Sequence, residues 1–331
     1  MALGITLAAA GNSVLSAIQA AVFGARVARV EIEKAPIFVV GHWRTGTTFL
    51  HELLALDDRH TYPTTYQCFS PNHFLLTDRL FPLLLRWLVP RTRPMDDLPL
   101  GLARPQEDEF AVCIMGVASP YLAIAFPNKP LQFVEYLDLE SSSPAAQARW
   151  KRAFVCFLRR VALRDRRRLV LKSPLHTSRM KAILELFPAA RFVHLVREPR
   201  ALFGSTIKLW RTLYRLHGLR SVREDALAEQ VFRAFERIYE RFAEQRDKLD
   251  PSHFCELRFE ELVHEPIRCV ERIYRQLDLG GFDEVRPRLE DFIAGLGDYE
   301  ASRYAIPPET RSELARRWGW YAKRYGYSVE A

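Results

Sequence analysis

Apolar residues cluster in short blocks through the middle of the chain, each ended by a glycine, a proline or a charge. Ile37-Phe38-Val39-Val40 is an unbroken apolar run of strand length and predicts a buried strand. Gly41 to Gly46 interrupts it as a loop, and Thr47 to Leu56 reads as a helix. Leu169-Val170-Leu171 is a second buried strand, with a helix from His176 to Phe187 that stops before Pro188. Arg191 to Val196 is a third strand, followed by Pro199 and a helix through about Leu216. Phe254 to Phe259 is a fourth, and Glu260 to Leu277 alternates apolar and charged residues at helical spacing. Apolar strands separated by helices predict an α/β fold: a P-loop-like central parallel sheet flanked by helices on both faces.

Two segments depart from that alternation. From about Thr61 to Pro130 the pattern becomes a helical insert within a domain spanning 36–331. Its apolar stretch from Phe74 to Pro90 reads as a packed core helix, with a lid or acceptor wall as the alternative. Residues 1–35 form the other: the first 25 carry no charge, and Arg26 and Arg29 follow. No basic residue precedes the apolar run, so it is a poor secretory signal. It reads as a docking or interfacial helix before a membrane span, with the main domain held on the cytoplasmic side, at the inner face of a membrane.

Charge and cysteine content narrow the field only partly. Forty-eight Lys and Arg against 40 Asp and Glu leave a net charge of +8 in 331 residues. Such a balance suits a polyanionic small ligand, nucleic acid or an anionic membrane. No recognised nucleic-acid motif appears, so no nucleic-acid partner is expected. The five cysteines are scattered, with no CxxC spacing, which argues against a disulfide framework or zinc site and for a reducing compartment. The oligomeric state is not readable from these residues.

The sharpest chemical signal is Gly41-His42-Trp43-Arg44-Thr45-Gly46-Thr47-Thr48, directly after the first strand. Glycines let the backbone turn tightly, and N–H groups at a following helix start make an anion site. The spacing is that of a P-loop, but Thr47 stands where a nucleoside-triphosphate enzyme carries its lysine. The loop's basic residue is Arg44, and no acid ends an apolar strand to hold magnesium. The loop suits a phosphate without suiting a magnesium-bound triphosphate, and no metal is expected.

In these residues the chain resembles the PAPS-dependent sulfotransferases, particularly their bacterial branch; PAPS is 3′-phosphoadenosine 5′-phosphosulfate. That family opens with a basic residue and Ser/Thr-Gly-Thr-Thr, matched by Arg44-Thr45-Gly46-Thr47-Thr48. The resemblance implies that this loop holds the 5′-phosphosulfate, with Arg44 at the bridging oxygen. The family's second mark, an Arg after a central strand and a Ser eight residues on, is matched by Arg197 and Ser205 and implies a grip on the 3′-phosphate. Arg258-Phe259-Glu260-Glu261-Leu262 resembles a family scaffold segment, and the likeness spans Pro36 to Leu279. The family's glycine-rich C-terminal nucleotide loop is not recognisable, with Ser302-Arg303-Tyr304 as a substitute. The activity implied is sulfuryl transfer from PAPS to a hydroxyl, less readily an amine, releasing PAP. The aromatic residues of the insert, among them Tyr62, Tyr66, Phe69, Phe74, Trp87, Phe110 and Tyr121, point to an apolar, lipid-like acceptor.

Deprotonating the acceptor needs a base, and two candidates stay open. Leu171-Lys172-Ser173-Pro174-Leu175-His176 resembles the cytosolic relatives' Lys-Thr-His, with the histidine displaced by two positions. It implies Lys172 on the sulfuryl group and His176 as base. Arg104-Pro105-Gln106-Glu107-Asp108-Glu109 offers a carboxylate instead, from Glu107 or Asp108. The competing classes are a P-loop nucleotide kinase or NTPase and a non-enzymatic membrane- or nucleic-acid-binding protein. If histidine is the base, His176→Ala lowers turnover by about 10²-fold, the usual scale for a lost general base. Near-normal turnover assigns the step to a carboxylate.

Overall fold

All four residues of Ile37–Val40 (β1) are buried, because a parallel strand at the centre of a sheet carries a helix layer on each face. The protein, described by a computed structural model over residues 2–85, 101–128, 134–220, 223–296 and 304–328, adds β2 (His60–Thr61), β3 (Arg168–Lys172), β4 (Arg191–Val196) and β5 (Phe254–Arg258). Every pairing is parallel and the order is β2-β3-β1-β4-β5. The chain crosses from one side of β1 to the other between β3 and β4. Such a switch opens a crevice at the carboxyl ends of the strands, which is where ligands sit in open α/β sheets.

The helices are α1 (Ala2–Ala28), α2 (Thr47–Leu54), α3 (Thr65–Phe69), α4 (Phe74–Thr77), α5 (Phe81–Leu85), α6 (Asp108–Ile114), α7 (Pro144–Arg164) and α8 (Met180–Leu186). Then come α9 (Pro199–His217), α10 (Glu224–Arg246), α11 (Phe259–His264), α12 (Pro266–Gln276), α13 (Phe282–Ala294) and α14 (Pro308–Tyr325). The pleat divides the core in two. Phe38, Val40, Leu171 and Phe192 join one cluster with apolar residues of α7, α9, α10 and α14. Ile37, Val39, Val170 and Val193 join the other with α2, α12 and α13. The expected P-loop-like α/β sheet with helices on both faces is what the chain builds.

Several local expectations need correction. The short strand β2 was missed: with two residues, His60 and Thr61, it lies at the edge of the sheet and has no apolar run of its own. The helix expected from His176 is a 3₁₀ turn, Pro174–Ser178, then α8. Pro174 opens that turn, the Ser173 hydroxyl caps it, and Arg179 breaks it from α8. Glu260 to Leu277 is two helices, broken before Pro266, whose missing N–H and ring cannot sit inside a helix. The stretch from Phe74 is not one core helix. Phe74 and Leu75 are buried, but Leu80, Leu83 and Leu84 are exposed, and residues 86–100, with Trp87, lie outside the described residues.

Two fully buried histidines tie stability to pH. His42 Nδ1 donates to the Trp43 carbonyl at 3.1 Å, and His51 Nε2 donates to the Val170 carbonyl at 3.1 Å. Burial holds the pKa of each at about 3, and for His51 the Lys172 ammonium pushes the same way. Both stay neutral when folded but take up protons when unfolded below about pH 6.5. The unfolded chain therefore binds more protons between pH 6.5 and 3, and stability falls as pH falls through that window. Chemical denaturation from pH 7 to 4 is expected to show a loss of about 1.4 kcal/mol per pH unit for each such histidine, reduced by one histidine's share in His51→Gln.

Candidate active site

The loop leaving β1 can form only because of its glycines. Gly41 and Gly46 have φ of 146° and 91°, and Arg44 joins them in the left-handed region at 72°. A Cβ on Gly46 would lie 2.3 Å from the Phe259 ring, so that position has no room for a side chain. The Thr45 hydroxyl donates to the His42 carbonyl at 2.7 Å, and the Gly41 N–H donates to the Thr177 hydroxyl at 2.8 Å. Thr47 and Thr48 begin α2, with Gly46 as its N-cap. The helix thus presents its N-terminal end to the loop, where an anion is stabilised.

The three residues read as phosphate ligands form one cluster. Arg44 Nε donates to Ser205 Oγ at 2.9 Å, and Arg197 Nη1 donates to the Arg44 carbonyl at 2.8 Å. Arg197 sits at the end of β4, its guanidinium carbon 4.2 Å above the Phe259 ring. It is only 5 % exposed, and its Nε has no hydrogen-bond partner. The Tyr321 hydroxyl braces its backbone, accepting from the N–H at 3.1 Å and donating to the carbonyl at 3.2 Å. A buried guanidinium with an orphaned donor, next to a loop of forced backbone shape, fits the two ends of a doubly phosphorylated nucleotide. Of the proposed substitute nucleotide loop, Tyr304 lies against Gly204, and Ser302 and Arg303 fall outside the described residues.

The catalytic candidates lie beside this cluster in a ladder of three ion pairs. Glu107, Asp108 and Glu109 are consecutive at the start of α6; Lys172, His176 and Arg179 follow one another through the end of β3 and its 3₁₀ turn. Lys172 Nζ donates to Glu107 Oε1 at 2.7 Å, His176 Nε2 lies 2.8 Å from Asp108 Oδ1, and Arg179 Nη1 donates to Glu109 Oε2 at 2.7 Å. Exposure separates them. His176 and Asp108 are both 0 % exposed, with His176 enclosed by Phe38, Phe154 and Trp150. Arg179 and Glu109 are equally enclosed, and the Ser119 hydroxyl also donates to Glu109 at 2.6 Å. Glu107 alone keeps appreciable side-chain exposure, 12 %.

Two residues that went unread as polar groups join Glu107 to the loop. The Tyr121 hydroxyl donates to Glu107 Oε2 at 2.6 Å, and Trp43 Nε1, within the loop itself, donates to that hydroxyl at 2.9 Å. Burial, then the Glu107 charge, pushes the Tyr121 phenol well above its ordinary pKa, so it stays a donor. The sequence marks Tyr121 only as an aromatic of the acceptor wall and Phe259 only as scaffold. No motif marks either, because their partners lie far away in sequence. Among the described residues no group of three or more His, Cys, Asp or Glu is placed to hold a metal.

A parallel α/β sheet with an anion loop at its central strand, a second arginine at the next strand end and a carboxylate–ammonium pair beside them defines a phosphate-anchored group-transfer enzyme. A family model described as the sulfotransferase family matches residues 36–284, and the chain belongs to that family. It is 46 % identical over 316 residues, 96 % of this chain and 81 % of the relative, to proteins named omega-hydroxy-beta-dihydromenaquinone-9 sulfotransferase Stf3 from Mycobacterium bovis and Mycobacterium tuberculosis. Its fold matches the crystal structure of sulfotransferase STF9 from Mycobacterium avium with a TM-score of 0.75 at 19 % identity, covering 96 % of this chain and 82 % of that one. It also matches sulfotransferase STF1 from Mycobacterium tuberculosis, TM-score 0.66 at 20 % identity, over 92 % and 81 % of the two chains. The protein is an enzyme of sulfuryl transfer, and PAPS is the donor the family implies.

Removing one partner of an enclosed ion pair leaves a buried charge uncompensated. Arg179→Ala is expected to destabilise the fold by about 3–5 kcal/mol in equilibrium denaturation. A loss below about 1 kcal/mol would mean that the pair is far better hydrated than its burial implies.

Proposed function

We propose that Glu107 is the general base for sulfuryl transfer from PAPS to a hydroxyl of an apolar, lipid-like acceptor. The observation that carries this reading is the position of Glu107: linked through Tyr121 and Trp43 to the phosphate loop, and the most exposed carboxylate of the three. His176 and Asp108 have no exposed surface to offer an acceptor and are read as a structural pair.

In the proposed reaction the acceptor hydroxyl gives its proton to a Glu107 carboxylate oxygen as its oxygen bonds to the sulfur. The bond from sulfur to the bridging oxygen of the 5′-phosphate breaks, and PAP leaves with that electron pair. Arg44 neutralises charge at the bridging oxygen, backbone N–H groups from Gly46 to Thr48 cradle the 5′-phosphate, and Arg197 with Ser205 grips the 3′-phosphate. Lys172 exchanges its contact with Glu107 for the sulfuryl oxygens as negative charge builds on them. The loop's backbone donors, unlike Lys172, are fixed and stabilise a developing charge without reorganising. Tyr121 keeps the carboxylate aimed while Lys172 turns away.

The acceptor class rests on a row of rings. Phe69, half exposed, stacks on Phe110 at 5.3 Å, and Phe110 stacks on Tyr121 at 5.2 Å, beside Glu107. Trp43 and Trp210 pack edge-on at 5.5 Å next to them. This row is read as the apolar side along which an acceptor chain would approach the base, with segment 61–130 as the acceptor side. The curated relatives are named for a hydroxylated dihydromenaquinone. An acceptor of that kind, a long apolar molecule with a terminal hydroxyl, is the one proposed here.

Glu107→Gln is expected to lower turnover by about 10²–10³-fold, as for a lost general base, with thermal protection by PAP unchanged. Turnover near wild type would remove Glu107 from the reaction. Arg197→Ala is expected to abolish most of the PAP protection; protection by ATP–Mg in the wild type with none by PAP would overturn the donor assignment. Mass spectrometry of lipid extracts incubated with enzyme and PAPS should reveal a species heavier by one SO₃.

A further inference from the structure

The N-terminal helix and the helix it packs on share an unusual composition. In a chain with 40 acidic residues in 331, neither the 27-residue α1 nor the 21-residue α7 contains an Asp or Glu. Together they carry only cations: Arg26 on α1, and Arg149, Lys151, Arg152, Arg159, Arg160 and Arg164 on α7. Some of these are committed. Arg149 donates to the Gly116 carbonyl, Lys151 pairs with Glu185, Arg160 donates to the Pro71 carbonyl and Arg164 pairs with Asp78. Arg26, Arg152 and Arg159 have no acidic partner among the described residues.

Four of the α7 cations rim an apolar groove. The cleft between the helices, about 450 Å³, is floored by Ala20, Phe23, Gly24 and Val27 from α1 and by Val155 and Leu186 opposite, with Lys151, Arg152, Arg159 and Arg160 along its edge. Outside the groove α1 turns Val14, Ile18 and Val22 to solvent, spaced four residues apart and therefore on one stripe of the helix. Residues 9–14 of α1 are all exposed. No helix among the described residues is long and apolar enough to cross a membrane. An apolar stripe, an uncharged helix end and unpaired arginines beside a greasy cleft are complementary to one environment: the boundary between acyl chains and anionic headgroups.

We propose that the α1–α7 face is a docking surface for a bilayer of anionic phospholipid. Val14, Ile18 and Val22 enter the acyl boundary, and Arg26, Arg152 and Arg159 meet the phosphates. The surface also adjoins the proposed acceptor side. The Gln19 side-chain oxygen accepts the Leu75 N–H of α4 at 2.8 Å, and α4 follows the helix that carries Phe69. Docking there brings the outer end of the aromatic row near the lipid. The proposal stands on the α1–α7 surface and goes beyond the sulfuryl-transfer reading.

The test is flotation of the full chain with vesicles of phosphatidylcholine alone or containing phosphatidylglycerol, at low and high salt. Binding is expected with the anionic vesicles, weakening as salt screens the cations. The double variant Arg152→Glu/Arg159→Glu should lower partitioning on the order of 10-fold or more, and the uncharged Val14→Ser/Val22→Ser should lower it to a similar extent at low and high salt, because it removes apolar contact only. Thermal protection by PAP should be unchanged in both variants, since neither touches the donor site, so failure of docking and failure of the sulfotransferase reading are separate results. Absence of flotation with anionic vesicles, equal binding to both lipids, or variants that bind like wild type would overturn the proposal. So would a dimer in sedimentation that Val14→Ser/Val22→Ser splits, because a second copy would then be what covers this face.

Discussion

Three ion pairs in register hold the active side of this enzyme together. Glu107, Asp108 and Glu109 leave a loop of the insert one after another and meet Lys172, His176 and Arg179 at the end of a central strand. The first partners are neighbours in sequence; the second are spaced four and three apart, along a strand end and the turn after it. Two of the three pairs are sealed from water. Enclosed charges contribute little net stability, since desolvation consumes most of the attraction, but they penalise any arrangement that separates them. The ladder therefore acts as a register mark. It sets where the first turn of α6 lies against β3, and so where the third, more open pair, Glu107 with Lys172, meets the phosphate loop.

That loop is constrained from the opposite side. Phe259, which begins α11 directly after β5, leaves Gly46 no space for a Cβ and lies flat beneath the Arg197 guanidinium. One ring thus shapes the loop and supports the second arginine. Arg197 in turn holds the Arg44 carbonyl, and Arg44 reaches Ser205. The cluster collects residues from the ends of β1, β4 and β5, which the parallel order places side by side. The proposed base joins it through Trp43, a residue of the loop itself. Anything that shifts the loop shifts the carboxylate with it.

Separation of polar and apolar surfaces follows from the same geometry. The residues proposed to hold the sulfuryl donor sit at strand ends, where backbone N–H groups and arginines converge. The insert brings rings and short helices over that edge, and it leaves Phe69 and the α5 leucines Leu83 and Leu84 half exposed or more. The acid-free α1–α7 pair extends the apolar and cationic character away from the sheet. An enzyme proposed to take a small polyanion on one side and a lipid-like alcohol on the other needs such a division.

Local rules were enough for much of this. Continuous apolar runs located β1 and β3, since strands buried on both faces are largely apolar, and shorter apolar stretches interrupted by His194 and Glu256 located β4 and β5; glycine spacing after β1 marked an anion loop without a triphosphate lysine. Arg44, Arg197 and Ser205 were legible because their motifs are contiguous or nearly so. The edge strand β2 was not, having too few residues to carry a pattern. Nor was the difference among Glu107, Asp108, Glu109 and His176: three adjacent acids look alike along a chain, and only packing decides that Asp108 and Glu109 are sealed with their partners while Glu107 keeps some exposure. The same holds for Tyr121 and Phe259, whose partners are brought to them by the fold. The chain's own pattern determined the central strands and the glycine loop, because both depend on neighbours in sequence; burial and long-range contact, which only the tertiary structure supplies, decided which candidate side chains meet and which are sealed from water.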